Sequence, residues 1–247
     1  MTKYHLSVIT GIGKIDRYRG SIDGYFKNIQ RQSFFKWTEH IIVYTEWSSI
    51  FDEYKHLDNI VWLKEGGTGV YNAWNQGIKA STTNLITNWN VDDRRFPKAN
   101  EKKYIFLQKN PEYGLVYNWW YFTNEEDEDI DNLGRTIRLF QSTPPEHPAW
   151  TWSCACGADP MWRKILHDKV GYFDQEEFPS SADWDMWLRF NKITKMGQIK
   201  EFLSIFYINP VGVGQQDEKE RHLQDRKILE KHQVNIPEEN KNKWYGV

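Results

Sequence analysis

The stretch NLITNWNVDDRRF, residues 84–96, carries an apolar run, Leu85-Ile86-Thr87, into two adjacent carboxylates, Asp92 and Asp93, followed by Arg94 and Arg95. Neighbouring carboxylates repel, so each needs a counter-charge or a set of hydrogen-bond donors. Hard oxygen ligands at such a spot suit Mg²⁺ or Mn²⁺, which can in turn hold a diphosphate. An ion pair with Arg94 or Arg95, or a helix cap, is the plain alternative. A third acid, Asp183 in SSADWDMWLRF (180–190), falls where a helix begins. Free backbone N–H groups and the helix dipole stabilise a carboxylate there. It reads either as a simple N-cap or as a general base, with Trp184 or Trp187 offering a flat face to a sugar.

Other motifs carry less. GIGK, residues 11–14, invites a phosphate-loop reading, but the spacing is incomplete and Ile15 stands where Ser or Thr would meet magnesium. Its glycines read instead as a tight turn or a close backbone approach to a ligand. NEEDEDID (124–131) is a line of like charges, which reads as a solvated loop. Cys154 and Cys156 are too close for a routine disulfide and lack a second pair for zinc. That pattern fits a reducing cytosol.

The elements that must position these acids follow from periodicity. At 247 residues, 39% hydrophobic with thirteen Trp, the chain can bury one large core or two closely packed halves. The net charge of −2 and the lack of a basic domain argue against nucleic acid as a partner. The N-terminus MTKYHLSVIT lacks the apolar core of a signal peptide, and no stretch approaches the ~20 apolar residues of a membrane span. Strands are expected at 6–10, 40–44, 59–63 and 85–87. Helices are expected at 22–29, 48–54 and 70–78. This β-α-β-α-β-α-β series predicts a parallel sheet with helices on both faces and a ligand site beyond the strands' carboxyl ends. In the second half, helices are expected at 97–107, 161–170, 182–193 and 218–231. Strands are expected at 114–122, 135–140 and 202–208, the first two as a hairpin.

The ordered set of motifs resembles the family-2 glycosyltransferases of the GT-A fold. The resemblance rests on SVIT (7–10), GVYNAWNQGI (69–78), NVDD (90–93), PMWRK (160–164), GYFD (171–174), ADWDMWLR (182–189) and YINPVG (207–212). It implies a single domain over 1–247, with a nucleotide-sugar half (1–96), an acceptor-side half (97–215) and a C-terminal helix and tail (216–247). It implies an inverting transferase using Mn²⁺ or Mg²⁺, with Asp92 and Asp93 in the metal motif and Asp183 deprotonating the acceptor. It places Thr10, Gly11, Glu46, Gly67, Asn72, Asn75, Asn90 and Asp92 beside the donor and Trp184 beside the acceptor. His147 and His222 are candidates for a further metal ligand. NPVGVGQQDEKERH (209–222) reads either as a flap bringing Arg221 and His222 to the phosphates or as a plain connector to the last helix. Two departures stand out: Asn90 replaces the first Asp of the usual Asp-x-Asp, and TEWSS (45–49) replaces an Asp-Asp-Gly-Ser type loop. The implied partners are a UDP- or dTDP-sugar donor and a glycan or lipid-linked saccharide acceptor. The implied setting is surface polysaccharide or lipopolysaccharide synthesis in the cytoplasm, with peripheral contact at the membrane's cytoplasmic face. A sugar-phosphate nucleotidyltransferase and a non-catalytic glycan-binding relative are the competing readings.

Overall fold

The computed structural model describes residues 3–134, 138–157, 159–212 and 218–239. Four apolar runs form the expected parallel strands: β1 (Leu6–Ile12), β2 (Thr38–Tyr44), β3 (Ile60–Lys64) and β4 (Leu85–Asn88). They lie in the order β3-β2-β1-β4, with Val8 opposite His40 on one side and Thr87 on the other. Side chains alternate between faces along a strand. Leu6 and Val8 therefore meet Ile22, Phe26 and Leu107 in one core layer, while Ile9 meets Trp74, Ile78 and Trp187 in the other.

The helices behind those layers are α1 (Arg19–Gln30), α2 (Val70–Ala80) and α3 (Ala99–Lys109) in the first part of the chain. They are followed by α4 (Leu166–Val170), α5 (Ala182–Asn191) and α6 (Glu218–Lys231). Residues 49–54 form a 3₁₀ turn rather than an α-helix, and Ser48 does not cap it with its side chain. Helix α2 lies close on β1 because Gly77 has no Cβ: one there would sit 2.3 Å from Ile9 Cγ2. Among the described residues no helix is long and apolar enough to cross a membrane.

The second half continues the same sheet with antiparallel members. β8 (Met161–Arg163) pairs antiparallel with both β4 and β6 (Tyr113–Thr123). β9 (Lys195–Tyr207) runs parallel to β6, and the short β5 (Arg94–Arg95) closes the edge. β7 (Arg138–Phe140) forms the expected hairpin partner of β6, Trp120 facing Phe140; residues 135–137 of that expected strand lie outside the described residues. The helix expected over 161–170 is instead a three-residue strand followed by the short α4. Met161 and Trp162 are wholly buried in mid-sheet, and pairing on both sides overrides local preference. β9 also begins seven residues before the expected strand at 202, within a polar run, KMGQIKE, that carries no apolar alternation.

α5 and the end of α6 are pinned together by one buried carboxylate. Asp185 accepts from Arg189 Nε at 2.8 Å, lies 2.8 Å from His232 Nε2, and pairs with Lys231 Nζ at 3.2 Å. Burial alone would push this carboxyl up; the His232 hydrogen bond and the Arg189 and Lys231 charges outweigh it and hold it at about 2. Its folded value lies below the ordinary carboxylate value of about 3.9, so its stabilisation is present above about pH 4 and lost as pH falls through about 2. Asp185→Asn is expected to cost about 2 kcal/mol at neutral pH, less than for a fully enclosed pair because Lys231 reaches solvent. Thermal unfolding followed from about pH 7 to about pH 2 checks both points, the variant losing the wild type's steep acid decline.

Candidate active site

In the first four strands the connections leave β1 toward β2 on one side and return to β4 on the other. The crevice at such a reversal opens beyond the carboxyl ends of β1 and β4. A cavity of about 520 Å³ lies there, lined by Gly11 from β1 and by Asn90, Val91 and Asp92 from the turn after β4. The second half supplies the opposite wall: Cys154, Asp183 and Trp184, with Tyr207 and Asn209 from the end of β9. Arg221, His222 and Asp225 reach the same cavity from one face of α6. Tyr18, Trp74, Trp120, Phe122 and Trp152 make much of the remaining surface aromatic.

The Asp92–Asp93 pair is split. Asp92 faces the cavity, half-buried, and accepts from Asn209 Nδ2 at 2.8 Å. Asp93 is turned inward, accepting from the Tyr207 backbone N–H at 3.1 Å and from Asn90 Nδ2 at 3.0 Å. Burial pushes both carboxyls up, and the charge of Asp92 raises Asp93 further. Neither arginine neutralises the pair by direct contact. Arg94 ties down the turn's carbonyls at Val91 and Asp93 and pairs with Asp127 at 2.6 Å. Arg95 is buried beside Asp159 and stacks over Trp89. Asn90, the residue in place of an acid, thus spends its amide on Asp93 while still lining the cavity.

Asp183 is in the first turn of α5 and accepts from Trp184 N at 2.9 Å, an N–H that also donates to the Ser181 carbonyl at 3.1 Å. The carboxylate therefore touches the helix's first turn and faces the cavity at once, but it is not the cap: that position is Ser181. Tyr71 Oη donates to it at 2.9 Å from α2, and Cys154 Sγ lies 3.4 Å away. Burial pushes its pKa up, and these donors partly offset that. Ser181, at the capping position, gives its hydroxyl to Asp225 at 2.9 Å instead and so docks α6. Trp184 is buried along the cavity wall, and its indole N–H has no partner among the described residues.

Several expected donor contacts are committed elsewhere. Thr10 is buried and hydrogen-bonded to Tyr25 Oη at 2.7 Å. Asn75 clamps both backbone polar groups of Phe173, at 2.8 and 3.0 Å. Asn72 points to Glu65, which also takes the Thr45 hydroxyl at 3.2 Å. Glu46 and Gly67 are exposed and lie off the cavity wall. Among the acids after β2 and β3 it is Glu65, not Glu46, that is drawn between the strand ends; its place directly after the apolar run IVWLK was the available signal. His147 caps its own loop through Ala149 N, away from the cavity, whereas His222 lines it. Of the stretch read as a flap or a connector, residues 213–217 lie outside the described residues, and 218–222 begin α6.

No protein-family model matches the sequence. No curated protein matches it either. Solved structures do match the fold. TarS from S. aureus superposes with a TM-score of 0.68 at 13% identity, over 97% of this chain and 42% of TarS. The 1–349 fragment of TarS in complex with UDP-GlcNAc gives 0.71 at 12% identity, over 97% of this chain and 70% of the fragment. The mannosyltransferase PcManGT from Pyrobaculum calidifontis, in complex with GDP-Man and Mn²⁺, gives 0.60 at 11%, over 94% and 64%. The fold is the one these glycosyltransferases share. This chain spans less than half the length of full TarS.

The donor set decides what ion the site suits. Among the described residues no three His, Cys, Asp or Glu side chains form a cage. Asp92 offers carboxylate oxygen to the cavity, and His222 shares that cavity. Mg²⁺ and its relatives are commonly held by one or two carboxylates together with substrate phosphates and water. Asp92 and His222 are the side chains this cavity would offer to an ion of that kind.

The helix that carries Tyr71 is capped from outside. Gln175 Oε1 accepts from Tyr71 N at 3.1 Å and Asn72 N at 3.4 Å, filling the space beside Gly69, whose φ is +99°. Gln175→Ala is expected to cost about 1 kcal/mol, as for loss of a helix cap. Denaturant unfolding and faster amide exchange at Tyr71 and Asn72 check this.

Proposed function

We propose that this protein is a glycosyltransferase that moves one sugar from a nucleotide-sugar donor to an acceptor hydroxyl with inversion at the anomeric carbon. The reading is carried by one observation: Asp92 from the first half and Asp183 from the second face the same cavity at the strands' carboxyl ends. The fold shared with TarS and PcManGT, and the nucleotide-sugars bound to those proteins, support the donor class.

The diphosphate of the donor lies on the side of Gly11, Asn90 and Asp92, and the sugar extends toward Trp184 and Asp183. Asp92 and His222 are the side chains that would hold a divalent ion, which would supply charge neutralisation on the leaving group. Arg221 adds a further positive charge on that wall. Asp183 takes the proton from the acceptor hydroxyl. The freed lone pair forms the new bond to the anomeric carbon, and the nucleoside diphosphate leaves with the electrons of the broken C–O bond. Aromatic walls exclude water and give the sugar rings apolar faces to stack on. The acceptor is a glycan, taken one sugar per encounter.

UDP-, dTDP- and GDP-sugars with Mn²⁺ supply the test. The matching donor is expected to raise the melting temperature by mass action, and Asp92→Asn to remove most of that rise. Asp183→Asn is expected to keep donor binding and lose roughly 10²–10⁴-fold in nucleoside diphosphate release. No stabilisation by any of these donors, or pyrophosphate release from a nucleoside triphosphate and a sugar phosphate, would replace this reading with another.

A further inference from the structure

The two oxygens of Asp183 are not equivalent. Oδ1 accepts from Tyr71 Oη and from Trp184 N, both at 2.9 Å. Oδ2 has only the Cys154 thiol at 3.4 Å, and a thiol is a weak donor. Oδ1 is thus engaged by the Tyr71 hydroxyl and by a backbone N–H that it shares with the Ser181 carbonyl, whereas Oδ2 keeps a lone pair with little competition. Cys154 and Asp183 both line the cavity.

We infer that Tyr71 and Cys154 are positioning residues that orient Asp183 so that Oδ2 is the atom receiving the acceptor's proton; this rests on the transferase reading above. The proton passes from the acceptor hydroxyl to Oδ2 as that oxygen bonds to the anomeric carbon and the nucleoside diphosphate departs with its electron pair. Tyr71 supports the charge of the carboxylate through the oxygen that does not react. Cys154 occupies the approach to the reacting oxygen without binding it tightly, and a hydroxyl from the acceptor displaces it.

Both side chains stay protonated donors. Burial first, and the Asp183 charge second, push the Tyr71 hydroxyl and the Cys154 thiol well above their ordinary values. Two further titratable groups stand near this carboxylate without a hydrogen bond to it among the described residues: Cys156, from the same loop as Cys154, whose thiol is raised by burial and then by Asp183, and Asp225 from α6, whose carboxyl is raised by burial and more weakly by Asp183. Arg221 and His222 share the cavity wall on α6, and Asp92 stands on the other side. Asp185, on the same helix as Asp183, is engaged by Arg189, Lys231 and His232.

The test is the pH dependence of nucleoside diphosphate release from UDP-GlcNAc or GDP-mannose, whichever stabilises the protein, with water as acceptor. Tyr71→Phe removes a donor to the ionised form. The acid limb of kcat/KM is expected to move to higher pH, with a roughly tenfold loss near pH 6 and a smaller one near pH 8. Cys154→Ser places a stronger donor on Oδ2. Its acid limb is expected to move to lower pH, and its plateau to fall roughly threefold. Donor affinity is expected to be unchanged in both. Shifts in opposite directions are a signature that general loosening of the fold would not produce. Limbs that superimpose on wild type, or move the same way, overturn the inference. Should Tyr71→Phe fail to fold, an unshifted Cys154→Ser profile overturns it alone. Asp183→Asn separates the two levels: full activity there sinks the base reading itself, whereas its inactivity beside unmoved Tyr71 and Cys154 profiles sinks only their positioning role.

Discussion

The end of β9 holds the acidic turn after β4. Tyr207 N–H donates to Asp93, Asn209 Nδ2 donates to Asp92, and Asn209 Oδ1 is itself fixed by Val211 N–H at 3.0 Å. Two adjacent carboxylates left to themselves would both turn to water, because burial raises the cost of each charge. Here one is drawn into the protein and the other is left at the cavity. That division makes a polar point on an otherwise aromatic wall. It also joins the halves of the chain, since residues 92–93 and 207–209 are more than a hundred positions apart in sequence.

Below that turn the structure keeps a second set of charges. Arg95 and Lys103 share the single carboxylate of Asp159, which lies 2.7 Å from Lys103 Nζ. Burial pulls the Lys103 ammonium down to about 7, and the Arg95 charge adds to that, against the pull of Asp159. Such a cluster is weak evidence for stability. Its geometric effect is clear: Arg95 donates to Asn100 Oδ1 and to the Asn88 carbonyl, so β4, β5 and α3 meet at one guanidinium. The acidic turn thus has a rigid floor as well as a clasp.

How much of this was legible follows from where each signal lies. Parallel strands buried on both faces read as continuous apolar runs, so β1, β2 and β4 could be found from sequence alone; the edge strand β3 is only partly buried but carries the apolar run IVWL. β8 could not: three residues carry no period, and Met161-Trp162 reads as readily as a helix start. The site divides the same way. Asp92 and Asp183 stood out as acids at a strand end and a helix start. Nothing local distinguishes Asp92 from Asp93, because the choice is made by β9. Thr10, Asn72 and Asn75 were expected beside a donor from their positions, yet none of them lines the cavity, and Tyr25, Glu65 and Phe173 engage their side chains. Tyr71, Cys154 and Asp225 gave no signal at all, since their meaning comes from contacts across the fold.

The Asp183 environment shows why local and functional readings need not compete. A carboxylate in the first turn of a helix is stabilised by that helix whether or not it does anything else. Ser181 holds Trp184 N and Asp185 N through its backbone carbonyl, and its hydroxyl is not spent on α5. Instead Ser181 reaches to Asp225 and closes α6 over the cavity, and Asp183 takes the N–H of Trp184. The same arrangement fixes one carboxylate oxygen, places Trp184 on the wall, and brings α6 to the cavity. The Ser181 hydroxyl on Asp225 and the Asp183 oxygen on Trp184 N therefore tie the docking of α6 to the orientation of the one cavity-facing acid on α5.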